Sequence, residues 1–203
     1  MEKERKNRKI ILVVLFIAVL ALSIGFAAFT SRLKIQSGAT VTPDPNAFKV
    51  VFSSSATSSV EGSPVYGGTA SGGEFTKGAT TISGLNANFT APGQEATWKF
   101  YAFNEGEYDA FLNAVTVGSI SCVAAKDTDP AKVANAQKDI SIKVSVNGKE
   151  YTTSDNDIDL HGLARNTGEQ IVVTLTYAEG SAAVDGNFDV VIGDITLEYN
   201  SAD

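Results

Sequence analysis

The sequence predicts an all-β protein, an antiparallel β-sandwich of jelly-roll type that follows one apolar N-terminal segment. Apolar and polar residues alternate with period two in several separate stretches, which is typical of strands with one buried face. Clusters of glycine, proline, asparagine and serine separate these stretches. Roughly ten to twelve short strands with regular turns suit two packed antiparallel sheets.

The N-terminal segment is apolar from Ile10 to Phe29 and follows a basic head. A helix of this length spans roughly 30 Å, enough to cross a bilayer, and the same pattern is typical of a secretory signal. Because lysine and arginine remain on the cytoplasmic side, we expect the rest of the chain to be exported. A cleaved signal and a retained membrane anchor both fit the pattern.

The cleavage site has two readings. Small residues at Gly25 and Ala27 favour a cut before Ala28, whereas a cut after Ala28 places Phe26 three residues before the junction. With a leader over residues 1–28, residues 29–203 are long enough for a single extracellular domain with a substantial core.

The exported part is strongly acidic. The leader carries five of the chain's 16 basic residues and two of its 23 acidic ones, which leaves 11 basic and 21 acidic residues beyond it. Such a surface repels nucleic acid and anionic lipid. We therefore expect no nucleic-acid partner, and membrane contact only through residues 10–29.

The first strands are predicted directly after the leader. Alternation marks a strand with one buried face, formed by Leu33, Ile35, Ala39 and Val41. A second strand begins at Phe48. The segment from Ser53 to Gly84, rich in serine, glycine and threonine, predicts loops that join short strands.

The middle of the chain has the clearest pattern. A turn at Pro92-Gly93 precedes a strand in which Trp98, Phe100 and Ala102 share one face. Since its other face is also partly apolar, we expect this strand to be central in a sheet. After a turn at Asn104, the next strand is predicted from Tyr108 to Val117.

Later segments predict one helix, one hairpin and a final group of strands. Asp129 and Pro130 are typical of a helix start, and the helix is predicted to run to Lys138. Asn147-Gly148 predicts a tight hairpin. The segment Leu160 to Tyr177 is similar in pattern to Leu85 to Phe103. Two strands joined around Gly193-Asp194 complete the prediction.

Residues that could carry chemistry are few. His161 is the only histidine and is predicted to be an exposed loop residue, while zinc, nucleophile-elbow and phosphate-loop motifs do not occur. We therefore expect a protein that is not an enzyme and has no cofactor. Cys122 is the single cysteine, predicted to be a small buried thiol or, alternatively, to pair between molecules.

An acidic cluster is the one weak metal candidate. Alternate carboxylates at Asp155, Asp157 and Asp159 could converge on calcium, which takes oxygen ligands. The helix-loop-helix pattern fails, however, because Leu160 replaces its glycine and Asn166 its glutamate. A simple turn is the alternative, and no metal site is predicted.

Three stretches carry a resemblance to a known family. The junction IGFAAF, the stretch PGQEATWKFYAFNEGEYDAF and the ending GDITLEY resemble secreted proteins of Gram-positive bacteria related to TasA and camelysin. The resemblance covers the leader and roughly Leu85 to Leu112. It implies processing by a signal peptidase of the SipW type between Ala28 and Phe29.

The resemblance also implies a function. Members of this family are similar to jelly-roll sandwiches, and several assemble into biofilm matrix fibres by donating the N-terminal strand to a neighbouring subunit. Here the donated strand would be Phe29 to Thr42, with Phe29, Leu33, Ile35 and Val41 as buried anchors. The alternative is that this strand pairs within its own subunit.

These observations favour a secreted or cell-surface structural protein that binds copies of itself or other matrix proteins. A membrane-anchored module that binds a glycan or protein through loops such as Ser53 to Gly84 is the alternative. A camelysin-like metalloprotease is least favoured, because one histidine leaves a zinc ion without visible ligands.

Overall fold

A computed structural model describes residues 30–35, 48–155, 158 and 161–201, with backbone alone for residues 30–35. Within these ranges the chain forms fifteen strands, one α-helix and one 3₁₀-helix. The strands are β1 (Thr30–Ile35), β2 (Val50–Ser53), β3 (Val65–Gly68), β4 (Ala70–Ser71), β5 (Thr81–Ile82), β6 (Asn86–Phe89), β7 (Glu95–Asn104), β8 (Ala110–Thr116), β9 (Ile120–Ala124), β10 (Ile140–Val146), β11 (Lys149–Tyr151), β12 (His161–Leu163), β13 (Gly168–Tyr177), β14 (Phe188–Ile192) and β15 (Ile195–Ser201). The helices are α1 (Pro130–Ala136) and the 3₁₀-helix Gln137–Asp139.

The strands form three sheets. Sheet I has the order β12-β8-β15-β1-β5, sheet II the order β11-β10-β13-β7-β2 with β3 also on β7, and sheet III the order β4-β6-β14-β9. Strand pairs are antiparallel apart from β1 with β5, which is parallel. The prediction of an all-β, antiparallel protein is therefore confirmed.

Sheet II faces both other sheets, which gives a sandwich-like arrangement. The β13 residue Glu169 bonds to Tyr199 of sheet I, and Tyr177 lies edge-on to Phe188 of sheet III, with ring centroids 5.8 Å apart. Apolar side chains from the three sheets form one continuous buried cluster. Their burial is the main favourable contribution to folding.

Sheets I and III are two parts of one bent ribbon. Thr116 pairs with Thr196, and four residues further along Ile120 pairs with Ile192, so the register of β8–β15 continues into β9–β14. At the bend, a Cβ on Gly118 would lie 2.4 Å from the carbonyl oxygen of Gly193. The two strands therefore approach each other too closely there for a side chain at position 118.

Strand β7 is central, as predicted. It lies between β13 on one side and β2 and β3 on the other. Trp98 is fully buried, and its indole nitrogen donates to the carbonyl oxygen of Ser71 at 2.9 Å. The two segments with a similar pattern, Leu85 to Phe103 and Leu160 to Tyr177, contain β7 and β13. These two strands are neighbours in sheet II and pair along nine residues.

The predicted helix and hairpin are confirmed. The Asp129 side chain accepts from the backbone N–H of Ala131 at 2.9 Å, which caps a helix beginning at Pro130. Asn147 and Gly148 have positive φ angles of 48° and 86°, as a two-residue hairpin between β10 and β11 requires.

One strand prediction differs from the structure. More strands form than the ten to twelve expected, because pieces as short as β4 and β5 occur between Ser53 and Gly84. The two predicted final strands are confirmed as β14 and β15, which are joined by Gly193-Asp194 and lie in different sheets.

The leader over residues 1–28, the junction of Ala28 and Phe29, and Val41 lie outside the described residues. Within the part of the chain that the structure does describe, no helix has the length and apolar character needed to cross a membrane.

Candidate functional site

Strand β1 lies between two other strands of sheet I. It pairs antiparallel with β15 along six residues, from Thr30 opposite Asn200 to Ile35 opposite Ile195. On its other side it pairs in parallel with β5 over two residues. The backbone of β15 is thus covered by β1 along almost its full length, and we call this position the β1 seat.

The floor of the β1 seat is apolar. Ile195, Leu197 and Tyr199 of β15 are fully buried, as is Ile82 of β5. Opposite residues of an antiparallel pair lie on the same face of a sheet. An apolar strand face in this register therefore continues the core of sheet I.

Two of the four predicted anchors fall at register positions of the β1 seat. Leu33 pairs with Leu197, and Ile35 pairs with Ile195. The other two, Phe29 and Val41, lie outside the described residues. In the structure the partner of β1 is β15 of the same chain.

A buried polar cluster lies directly beside the β1 seat. The carboxylate of Glu169 accepts a hydrogen bond from the Tyr199 hydroxyl through Oε1, and its Oε2 lies 2.6 Å from Nε2 of His161. The same histidine nitrogen is 3.4 Å from Nδ2 of Asn147. Glu169 belongs to sheet II, whereas His161 and Tyr199 belong to sheet I. Their contacts therefore join the two layers.

Burial determines the electrostatics of this cluster. Desolvation raises the pKa of the Glu169 carboxyl, although the hydrogen bond from Tyr199 and the proximity of His161 oppose this rise. The pKa of Tyr199 lies well above its ordinary value, because the phenol is fully buried and next to Glu169. Both residues are thus held toward their neutral forms.

The prediction for His161 was wrong. The histidine is the first residue of β12 rather than a loop residue, and about one third of its side chain, 34%, is exposed. The alternation of buried and exposed positions along β13 could have revealed the cluster. Glu169 shares its period-two face with Ile171 and Val173, so a carboxylate occupies a core position.

Asn104 is a second buried polar residue that the sequence pattern did not single out. Its amide nitrogen donates to the carbonyl oxygens of Tyr108 at 2.9 Å and Leu163 at 3.1 Å, and its amide oxygen accepts from the N–H of Gly106 at 2.9 Å. Asn104 therefore fixes the turn between β7 and β8 and holds the end of β12.

Cys122 lies on β9 and is half-buried. Burial raises the pKa of its thiol to about 11, so the reactive thiolate is disfavoured at neutral pH. The edge of β9 beside it is covered by Gln137. The side chain of Gln137 accepts from the N–H of Cys122 at 3.0 Å and donates to the carbonyl oxygen of Ile120 at 3.3 Å.

The acidic cluster is described only in part. The backbone of Asp155 forms a bridge with Val115 of β8 through two hydrogen bonds of 2.8 Å. Asp155 therefore lies beside β8 and covers part of its edge. Asp157 and Asp159 lie outside the described residues. Among the residues that are described, no group of three or more histidine, cysteine or acidic side chains is placed to hold a metal.

Comparison with known proteins adds no family assignment, since neither a protein-family model nor a curated protein matches the chain.

Proposed function

We propose that this chain is an exported structural protein of the bacterial cell surface, a jelly-roll-like sandwich that polymerises by donating its N-terminal strand. The observation that carries the proposal is the β1 seat. Along six residues β15 pairs with a strand that is separate in sequence from the rest of its sheet. A strand in this position can be exchanged for the same strand of another copy.

The physical basis is a backbone edge that needs a partner. Without β1, β15 would expose its N–H and C=O groups along one side, together with the edge of an apolar floor. A strand from a second copy restores the same hydrogen bonds and the same burial. Because head-to-tail exchange does not close on itself, repeated exchange gives a filament.

The chain has enough length for such an exchange. Twelve residues separate Ile35 from Phe48 in the sequence. Fully extended, a connection of this length reaches roughly 40 Å, comparable to the diameter of a domain of this size. In the proposed cycle, a signal peptidase cuts between Ala28 and Phe29 and frees the N-terminus of the strand.

Deletion of the strand tests the proposal. Mature protein beginning at Phe29 should form fibres visible by electron microscopy, whereas protein lacking residues 29–42 should not. A synthetic peptide of residues 29–42 should raise the unfolding temperature of the truncated protein, because it fills the β1 seat, yet it should not restore fibres.

The matched control is the mature protein with residues 29–42 present and Lys34→Ala, which leaves the strand intact. Fibres formed by the truncated protein would rule out strand donation, and so would a peptide that leaves its unfolding temperature unchanged.

A further inference from the structure

The apolar floor of the β1 seat does not distinguish one amphipathic strand from another. On its buried face β15 offers Ile195, Leu197 and Tyr199, which are all fully buried. Their burial favours any strand with a matching apolar face, because the hydrophobic effect is non-directional. A preference for one particular strand has to come from the opposite face of the sheet.

The opposite face of β15 brings one charge to the β1 seat. Glu198 is half-buried on this face, and the neighbouring positions on the same face are the uncharged Thr196 and Asn200. In the register of the two strands, Glu198 lies opposite Arg32. Of the six residue pairs in this register, Arg32 with Glu198 is the only one in which both residues are charged.

A pair in this position affects how well two strands bind each other. Directly opposite residues of an antiparallel pair have Cβ atoms about 4.5–5.5 Å apart, so opposite charges there stabilise the pairing and like charges weaken it. The register therefore makes Arg32 and Glu198 the position at which the β1 seat can accept or reject a strand by its charge.

The strand and the rest of the mature chain carry opposite net charges. Residues 29–42 contain Arg32, Lys34 and no acidic residue. Residues 43–203 contain nine basic and 21 acidic residues. Two such acidic bodies repel each other, whereas the basic strand of one copy is attracted to the body of another. This charge distribution favours a second copy of the chain as the source of the strand.

We propose that the β1 seat selects its strand by charge, that Glu198 and Arg32 are the specificity-determining pair, and that the strand accepted in a fibre is that of a second copy. This inference rests on the proposed strand donation and names the residues that choose the partner. Complementary charges give specificity at interfaces, and like charges exclude wrong partners.

The pair chooses the strand but does not by itself favour donation. In a closed subunit, Arg32 and Glu198 of the same chain occupy the opposite positions. In a fibre, the same two positions come from different copies. A charge reversal at one position therefore weakens the closed subunit and the fibre equally. A mixture of two complementary variants separates the two states, because each strand finds its matching seat only on the other variant.

Sedimentation of fibres from the mature variants Arg32→Glu and Glu198→Arg tests the selection. Alone, each variant has like charges at the two positions whether the strand is donated or not. In an equimolar mixture, every donation between the two variants brings opposite charges together. At the same total concentration, the protein left in solution should be about two- to thirtyfold lower in the mixture than for either variant alone. This difference should shrink at about 1 M salt, which screens exposed charges.

The matched control is a mixture of Arg32→Glu with Glu150→Arg. The second substitution makes the same change of charge at an exposed carboxylate of sheet II, which pairs with Lys143 at 2.8 Å. Mixing should give no gain here, because every seat still carries Glu198 and each strand meets the same charge in either seat.

The outcomes separate this inference from the proposed function. If wild-type mature protein forms fibres but the complementary mixture leaves as much protein in solution as the control mixture, selection by Arg32 and Glu198 is overturned and strand donation still stands. Wild-type mature protein that forms no fibres would overturn the proposed function, and this inference with it.

Discussion

At the residue scale, polar side chains in the core fix the geometry of turns and strand ends. Asn104 is fully buried and uses both amide atoms on backbone groups of two different segments. Glu169 performs a similar role between the two layers. Buried polar groups of this kind stabilise a fold only when their hydrogen bonds are made.

Asn104→Ala should lower the free energy of unfolding by about 2–3 kcal/mol, because it leaves the N–H of Gly106 and the carbonyl oxygen of Leu163 without this partner in the interior. Urea denaturation monitored by circular dichroism measures the change. The control is Asn88→Ala, which removes an exposed hydrogen bond to Asp189 and should cost less than about 0.5 kcal/mol. Equal effects of the two substitutions would contradict the role given to Asn104.

At the element scale, an edge strand is protected by a side chain. β9 pairs with β14 on one side, and on the other the Gln137 amide takes the place of a neighbouring strand at Cys122 and Ile120. The residue lies where α1 continues into the 3₁₀-helix. The short helix therefore positions Gln137 to cover the edge of β9, and it also connects β9 with β10.

Gln137→Ala should destabilise the protein by about 1–3 kcal/mol, because the N–H of Cys122 loses its partner at a half-buried position. Exchange of the Cys122 amide should also accelerate. Lys138→Ala, next in the chain, removes only an exposed hydrogen bond to Asn135 and serves as the control. Unchanged exchange at Cys122 in Gln137→Ala would show that the amide does not cap this edge.

Elements with strong local patterns were predictable from the sequence. Trp98 and its alternating neighbours indicated a central strand, and Asn147-Gly148 indicated a hairpin, because in both cases neighbouring residues carry the signal. β12 was missed since three residues are too few for a periodic pattern. The pairing of β1 with β15 depends on residues at opposite ends of the described chain, and no local pattern specifies it.

The polar cluster was missed for a related reason. His161 and Glu169 are eight positions apart in the sequence, and Tyr199 belongs to a later strand, so their contact follows from the packing of sheet II on sheet I. In the alternating pattern of β13, Glu169 occupies a position on the buried face. This pattern does not indicate which residues contact its carboxylate.

At the scale of the whole molecule, the arrangement of the sheets places the first and last described strands side by side. The ribbon of β8–β9 with β14–β15 runs through sheets I and III, and its last strand forms one wall of the β1 seat. The core formed with sheet II does not require that β1 come from the same chain. We propose that another copy can supply β1.

Disulfide crosslinking between two variants tests this claim most directly. Arg32 lies opposite Glu198 in the β1–β15 register. Opposite Cα atoms in such pairs are about 4.5–5.5 Å apart, within the range that a disulfide spans. Arg32→Cys and Glu198→Cys are each prepared with Cys122→Ser, and the two mature proteins are mixed under mild oxidation while fibres form. Thr176→Cys, on sheet II, replaces Glu198→Cys in the control mixture.

If β1 is donated, the Arg32→Cys and Glu198→Cys proteins should give disulfide-linked heterodimers on non-reducing gels, and the Thr176→Cys control should not. Fibres that form without heterodimers above the control level would contradict strand donation.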